Sequence, residues 1–216
     1  MAKAGRTQDV VISAPRMQTA EFGIRGTTPL VLHKFSKRKK DEIHAKHVAG
    51  STGRKGTKKE ARDFQREYEE AKFRCDGWLG INANAFREAM VTACGLCGFF
   101  KTTGKLTVFI EPDGFDVEAF VPLVKITKGE PQYFEAEVRN ATGVMDLRAR
   151  PLWAPGWEAK VRVRYDADQM TLNDVTNLLM RVGVQVGIGE GRPDSKKSCG
   201  QGWGLFELKG KPHGQE

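Results

Sequence analysis

The chain has 216 residues, of which 39% are hydrophobic and 29% charged, enough apolar material for one core with embellishments and too much for a disordered tail. No apolar run approaches the ~20 residues that cross a bilayer, the first residues are basic and polar with no apolar segment leading to a cleavage site, and four cysteines in this length do not make a disulfide framework, so reduced thiols in the cytoplasm are expected. The formal charge is +8 and it is concentrated: residues 34–62 hold eleven Lys/Arg against three Asp/Glu, whereas the remaining 24 of each sign cancel.

In chain order, residues 1–15 read as a loose leader. Residues 18–32 predict a strand, TAEFGIRG, and a second extended piece, TPLVLH, with Pro29 between them. The basic segment 34–62 follows as an inserted arm. Charge packed into one segment points to a polyanionic partner, because each neutralised phosphate releases counterions; a solvated loop is the plain alternative. Ser51, Gly53 and Gly56 predict a flexible arm that orders on a strand. Its candidate nucleic-acid contacts are Lys37, Arg38, Lys39, Lys40, Arg54, Lys55, Lys58 and Lys59.

Residues 59–74 predict a helix with Phe64, Tyr68 and Phe73 on one face, and Asp76-Gly77 a turn. Residues 78–81 read as a short strand leading into a helix from Asn84 to about Cys94. Ala85, Phe86, Ala89, Met90 and Ala93 give that helix an apolar stripe, and Asn82 or Asn84 can cap it. A strand is expected over 105–111, ending at the Pro112-Asp113-Gly114 turn, with further strands at 120–126 and 133–138 and irregular chain near 142–143 and 151–156. Residues 157–165 alternate Ala159, Val161, Val163 and Tyr165 with Glu158, Lys160, Arg162 and Arg164, the clearest half-buried strand. Thr171 to Asp174 is a capping-box-like helix start, and Leu172, Val175, Leu178, Leu179 and Val182 form the apolar face behind it. The last strand is expected over 203–209. Strand, helix, strand, strand, helix, strand, with extra strands in the middle, is an α+β class of ferredoxin-like (βαββαβ) order.

Six of the 24 glycines, Gly187, Gly189, Gly191, Gly200, Gly202 and Gly204, fall within eighteen residues, interleaved with Arg192, Lys196 and Lys197. Glycine permits φ > 0 and close approach of a ligand to backbone amides, and the cations among those amides would hold phosphate. A flexible connection between helix and strand is the plainer alternative. No Gly-Lys-Ser/Thr follows, and the loop precedes a strand rather than a helix, so neither a P-loop nor a dinucleotide fingerprint is present and no cofactor is implied. Cys94-x-x-Cys97 lacks the second pair that structural zinc usually requires, so no metal is expected, and His44 and His47 fit a solvated face. His33, Asp41 and His44 sit in no triad or paired-carboxylate pattern, and no catalytic residue is assigned.

Three segments, GIRGTTPLVLH, INANAFREAMVTA and GIGEGRPDSKKSCGQGWGLFEL, occur in the order that resembles the RAMP superfamily, the repeat-associated mysterious proteins of CRISPR systems, in particular the backbone subunits that coat guide RNA. The first is similar to the family's opening strand and its Pro-Leu continuation. The second resembles the family's I-P-x-S-S-hydrophobic-[KR]-G-A-hydrophobic-R helix start, with Arg87 at the basic position, and the third the closing glycine-rich loop and strand. Glu88 replaces the motif's glycine, Ala83 stands at its first small polar position, and the chain is short for a backbone subunit; a solitary relative encoded by a phage or mobile element fits as well.

The resemblance implies one RAMP-like domain over 1–216, with the sheet as a palm, the arm 34–62 as a finger and an inserted hairpin region, 112–156, as a thumb over a strand of RNA. It adds Arg87, Gly189, Gly191, Arg192, Lys196, Lys197, Gly200 and Gly202 to the nucleic-acid contacts. Tyr133, Phe134, Trp153 and Trp157 are candidate stacking surfaces, or else ordinary core aromatics. The expected function is non-catalytic binding of a single strand, RNA favoured, by copies that oligomerise along it. An endoribonuclease on the same fold and a phage assembly or virion protein are the alternatives. No residue can be assigned to a 2′-hydroxyl, so RNA and DNA are not distinguished.

Overall fold

A computed structural model of the chain describes residues 13–48, 61–139, 145–195 and 199–215. Its first elements are strands β1 (Met17–Gly26) and β2 (Leu30–Val31), helices α1 (Lys37–Val48) and α2 (Phe64–Glu70), strands β3 (Phe73–Cys75) and β4 (Trp78–Asn82), and helices α3 (Ala83–Leu96) and α4 (Lys101–Thr107). Strands β5 (Val108–Glu111), β6 (Gly114–Phe115), β7 (Pro122–Lys128), β8 (Pro131–Arg139), β9 (Met145–Trp153) and β10 (Glu158–Asp166) follow. Helix α5 (Leu172–Arg181), one π-helical turn (Val182–Val186) and β11 (Phe206–Gln215) complete the fold.

The alternation read in 157–165 sets the main sheet. Ala159, Val161, Val163 and Tyr165 of β10 are buried, and β10 pairs antiparallel with β1 from Met17↔Asp166 to Arg25↔Glu158. β11 pairs antiparallel with the other side of β1, and β5 with the other side of β10. The sheet then runs on from β10 through β7 and β4 to β3, with β6 on β7. β1 sends Ala20, Phe22 and Ile24 to the same side, where α3 contributes Phe86, Ala89, Met90 and Cys94 and α5 contributes Val175, Leu178 and Leu179. Each large side chain so covered stabilises the fold by about 1.5–3 kcal/mol. A second sheet, β2-β9-β8, carries a long hairpin in register from Pro131↔Trp153 to Arg139↔Met145.

The helix caps agree with the sequence. Asn82 Oδ1 accepts from Asn84 N at 2.9 Å, and Thr171 and Asp174 form a reciprocal capping box. Four expectations change. The helix expected over 59–74 is confined to Phe64–Glu70, because Asp63 Oδ1 accepts from Arg66 N as its N-cap and the chain turns after Ala71 to place Phe73 in β3. Residues 105–107 belong to α4, not to a strand. Gly104 lies so close to the Cys94 sulfur that a Cβ would come within 2.9 Å, and this packs the segment as a helix on α3. β9 runs through Pro151, whose carbonyl accepts from Leu32 N at 3.2 Å, so the irregular stretch begins only at Ala154. The first part of the arm, expected to be loose, is the twelve-residue helix α1. Arg54, Lys55, Lys58 and Lys59 lie outside the described residues.

Candidate nucleic-acid interface

All six glycines of the loop after α5 have φ between 64° and 79°. In most of them the freedom serves the loop's own packing. A Cβ would meet Ile188 O at 1.8 Å from Gly204, Arg192 O at 2.0 Å from Gly200, Val31 O at 2.5 Å from Gly189 and the Trp203 ring at 2.5 Å from Gly191. Gly202 has nothing within 4 Å. Several loop amides are engaged internally as well: Ile188 N donates to Gly204 O, Glu190 N to Val31 O, Gly204 N to Pro29 O, and both Gln201 N and Trp203 N to Gly191 O. The loop is a compact knot pinned to β2, so its glycines set its shape rather than simply loosening it.

Two clefts flank this knot and share Gly189 and Arg192 as a common wall. The first, of about 460 Å³, lies between the loop and α3. Arg87, Lys105 and Arg192 reach it from three separate elements, over a floor that includes Ala89, Val91 and Ile188; Glu88 and Asp194 are its acidic members. The resemblance-derived positions Arg87, Gly189 and Arg192 thus meet in one place. Arg87 has a structural task too. Its guanidinium donates to Val108 O at 3.1 Å and Lys105 O at 2.5 Å and lies 4.7 Å from the centre of the Phe109 ring, tying α3 to the α4–β5 junction. Arg192 donates to Gly189 O at 3.0 Å, which holds its side chain across the loop.

The second cleft, of about 830 Å³, separates the loop from β8 and is lined by Phe134, Trp203, Gly191 and Gly200, with Glu135, Glu137 and Glu190 opposite Arg192. Phe134 meets Trp203 edge to face at 5.6 Å. Tyr133 is exposed and its hydroxyl donates to Glu135 Oε1 at 2.7 Å, a bond that raises the phenol's pKa. Trp153 and Trp157 are not stacking surfaces. Both are buried: Trp153 ends β9, paired with Leu30 and Pro131, and Trp157, just before β10, has Nε1 donating to Thr28 O at 3.0 Å. Lys196 and Lys197 lie outside the described residues.

The loop, the hairpin and the chain after β2 are joined by a set of ions. Glu190 accepts from Arg150 Nε at 2.8 Å, and its other oxygen lies 3.2 Å from His33 Nδ1. Burial works against the ionised form of Glu190, but the His33 hydrogen bond and the Arg150 charge outweigh it and hold its pKa down at about 2. Next to it, Lys34 is buried rather than part of a solvated arm, with Nζ 3.4 Å from Asp116 and 2.9 Å from Glu118.

Lys37, Arg38, Lys39 and Lys40 form the first turn of α1, which has no acidic residue there. Four cations at the positive end of a helix dipole are unfavourable by themselves and favour an anion close by. Arg38 is partly answered by Glu42 at 3.0 Å and Glu70 at 3.8 Å. His44 and Asp41 are exposed on the same helix. Lys105, Trp203 and the His33–Glu190–Arg150 set carry no sequence signal of their own. Lys105 was hidden by the strand expected over it, and in the ionic set His33 lies more than a hundred positions from both Arg150 and Glu190.

Among the described residues no group of three His, Cys, Asp or Glu side chains could hold a metal ion, and no helix is long and apolar enough to cross a membrane. No family model matches the sequence. No curated protein matches it either. Among solved structures the chain is similar to one in a cryo-EM structure of the Type III-B Cmr-beta bound to cognate target RNA. The two are 12% identical with a TM-score of 0.48, over 92% of this chain and 60% of that one. The chain therefore spans about three-fifths of that relative's length.

Proposed function

We propose that this protein binds single-stranded nucleic acid without cleaving it, on a ferredoxin-like, RAMP-like palm, and that copies assemble along the strand. The antiparallel order β11-β1-β10-β5, with α3 and α5 in the two crossovers, supports the ferredoxin-like reading. RNA is favoured by the motif resemblance. The observation that carries the reading is the convergence of Arg87, Lys105 and Arg192 on one cleft with an apolar floor beside the glycine knot. Such a site offers charge to a phosphodiester and an apolar surface to a base. The arm 34–62, beginning with the cationic first turn of α1, adds sequence-independent attraction. The hairpin β8–β9 stands as the thumb.

The test is fluorescence anisotropy with labelled single-stranded RNA and DNA of several lengths at two salt concentrations, with the products run on a denaturing gel. Salt-sensitive binding of an intact strand is expected, and the preferred sugar names the partner. Absence of binding to either strand overturns the reading and leaves an assembly role.

One observation favours an endoribonuclease as a second reading. A carboxylate on His33 Nδ1 is the arrangement that orients a general base. On that reading the gel shows cleavage, and His33→Ala removes it without reducing binding.

A further inference from the structure

The two clefts beside the glycine knot differ in chemistry. The first sets Arg87, Lys105 and Arg192 against two carboxylates, whereas the second, of about 830 Å³, sets Arg192 alone against Glu135, Glu137 and Glu190. A phosphate is disfavoured there. Glu190 is already satisfied by Arg150 and His33, and one oxygen of Glu135 accepts from the Tyr133 hydroxyl. Glu137 is exposed and makes no hydrogen bond or ion pair among the described residues.

Two further features shape the second cleft. Its aromatic wall is fixed: Trp203 is half-buried, Gly191 lies so close to its ring that a Cβ would come within 2.5 Å, and Phe134 meets it edge to face. The other wall is the free edge of a strand. β8 ends the β2-β9-β8 sheet and pairs with β9 alone. Residues from both of its faces, Phe134 and Ala136 from one and Glu135 and Glu137 from the other, border the cleft, so the cleft runs along that edge. Every second residue of an edge strand turns its N–H and C=O away from its partner. Among the described residues, none of these groups from Gln132 to Glu137 bonds to the knot across the cleft.

We infer that this cleft takes a base of the bound strand and that the base is guanine. The inference rests on the proposed function and adds a sequence preference to it. An aromatic wall suits the face of any base, so the hydrogen-bonding edge decides which base is held. A carboxylate only accepts hydrogen bonds. Guanine is the base whose Watson–Crick edge carries two adjacent donors, N1–H and the N2 amino group, beside an acceptor, O6. The donors suit the two oxygens of Glu137, and O6 suits a strand-edge N–H. Adenine and cytosine place a ring acceptor beside their amino group, and uracil has a carbonyl on either side of its single N–H. Each of these three therefore sets an acceptor against the carboxylate. Arg192, shared by both clefts, then stands between the base and a phosphate held by Arg87 and Lys105.

The experiment is fluorescence anisotropy at high salt, where the ionic part of the affinity is small. The probes are RNA hexamers in which uridine alternates with guanosine, inosine, adenosine or cytidine, together with the uridine hexamer. Inosine keeps O6 and N1–H and lacks the N2 amino group. The guanosine strand is expected to bind about tenfold more tightly than any of the others, the worth of a hydrogen bond to a charged group. Glu137→Gln is expected to bring it level with the inosine strand and to leave the uridine hexamer unchanged. The variant keeps the thermal midpoint of the wild type, because the Glu137 side chain has no partner to lose.

Equal affinity for all five strands overturns the inference and leaves the strand-binding reading standing, as does a guanine preference that survives Glu137→Gln. If no strand binds, isothermal titration with guanosine and inosine monophosphates decides. Binding of the guanosine nucleotide that Glu137→Gln removes keeps the cleft and overturns the strand; any other result there overturns both.

Discussion

Glu190 Oε2 lies 2.8 Å from Arg150 Nε, so a guanidinium only 3% exposed on the hairpin strand β9 is answered by a carboxylate of the glycine-rich loop. That pair decides where the loop sits. Glu190 N also donates to Val31 O, and with His33 on its second oxygen the side chain joins three segments distant in sequence. Removing one partner leaves a buried cation uncompensated, which costs more than the pair itself gives.

The pH dependence follows from the depressed pKa. A carboxylate that ionises more readily folded than unfolded contributes stability that is complete above its ordinary value of 4.5 and is lost as pH falls through about 2. With a third of the side chain facing solvent, the contribution is on the order of 2 kcal/mol. Glu190→Gln is expected to lower urea stability by about that amount at pH 7. The difference from wild type should shrink between pH 4.5 and 2, in denaturation curves taken at four or five pH values.

The glycines of the knot separate by what surrounds them. Gly204→Ala would bring a Cβ to 1.8 Å from Ile188 O with the backbone at φ 71°, so the knot must open and a loss of about 3 kcal/mol or more is expected. Gly202 has a similar φ of 72° and open space, so Gly202→Ala meets only the left-handed penalty of about 1–2 kcal/mol. Equal losses for the two in chemical denaturation would show that the packing of the knot contributes nothing.

Asp116 is buried with Lys34, and three backbone N–H groups point at it. Burial raises its pKa, but those N–H groups and the Lys34 charge prevail and keep it below the usual carboxylate range. Asp116→Ala strands the three N–H donors and leaves Lys34 with Glu118 alone, and is expected to cost about 3–5 kcal/mol. Asp116→Asn keeps an acceptor for the turn and loses only the charge, so a loss of about 1–2 kcal/mol is expected. Thermal or urea unfolding of the two variants side by side checks the order.

The elements that were legible in the sequence are those governed by local rules. The alternation of β10, the apolar stripe of α3 and the Thr171–Asp174 box each follow from neighbours within a few residues, and each appears where expected. The failures arise where distant contacts override local preference. Residues 105–107 look extended, yet the closeness of Gly104 to Cys94 makes them helical. Trp153 and Trp157 are open from the sequence to a stacking or a core reading, and the pairing of Trp153 with Leu30 and Pro131 and the bond from Trp157 Nε1 to Thr28 O put both in the core. For the site, Arg87, Gly189 and Arg192, which residue type and motif order single out, line one cleft. Composition could not show that the loop's glycines pack on one another, nor that Lys34 leaves the basic arm for the core.

Salt dependence separates the two cationic regions. Each phosphate neutralised on a single strand adds about 0.7 to the magnitude of the slope of log K against log salt. Lys37 and Lys40 sit in the first turn of α1, and Arg192 walls both clefts. If α1 meets the strand only through charge, Lys37→Ala with Lys40→Ala should reduce the slope by about 1.4 and weaken RNA and DNA alike. Arg192→Ala should reduce it by about 0.7 and also lower affinity at high salt, where the purely ionic part has faded and the cleft's apolar floor still acts. Anisotropy titrations at four salt concentrations give both quantities from one data set. Parallel lines for wild type and the α1 double variant would remove α1 from the interface. A high-salt affinity untouched by Arg192→Ala would reduce the cleft to another patch of charge.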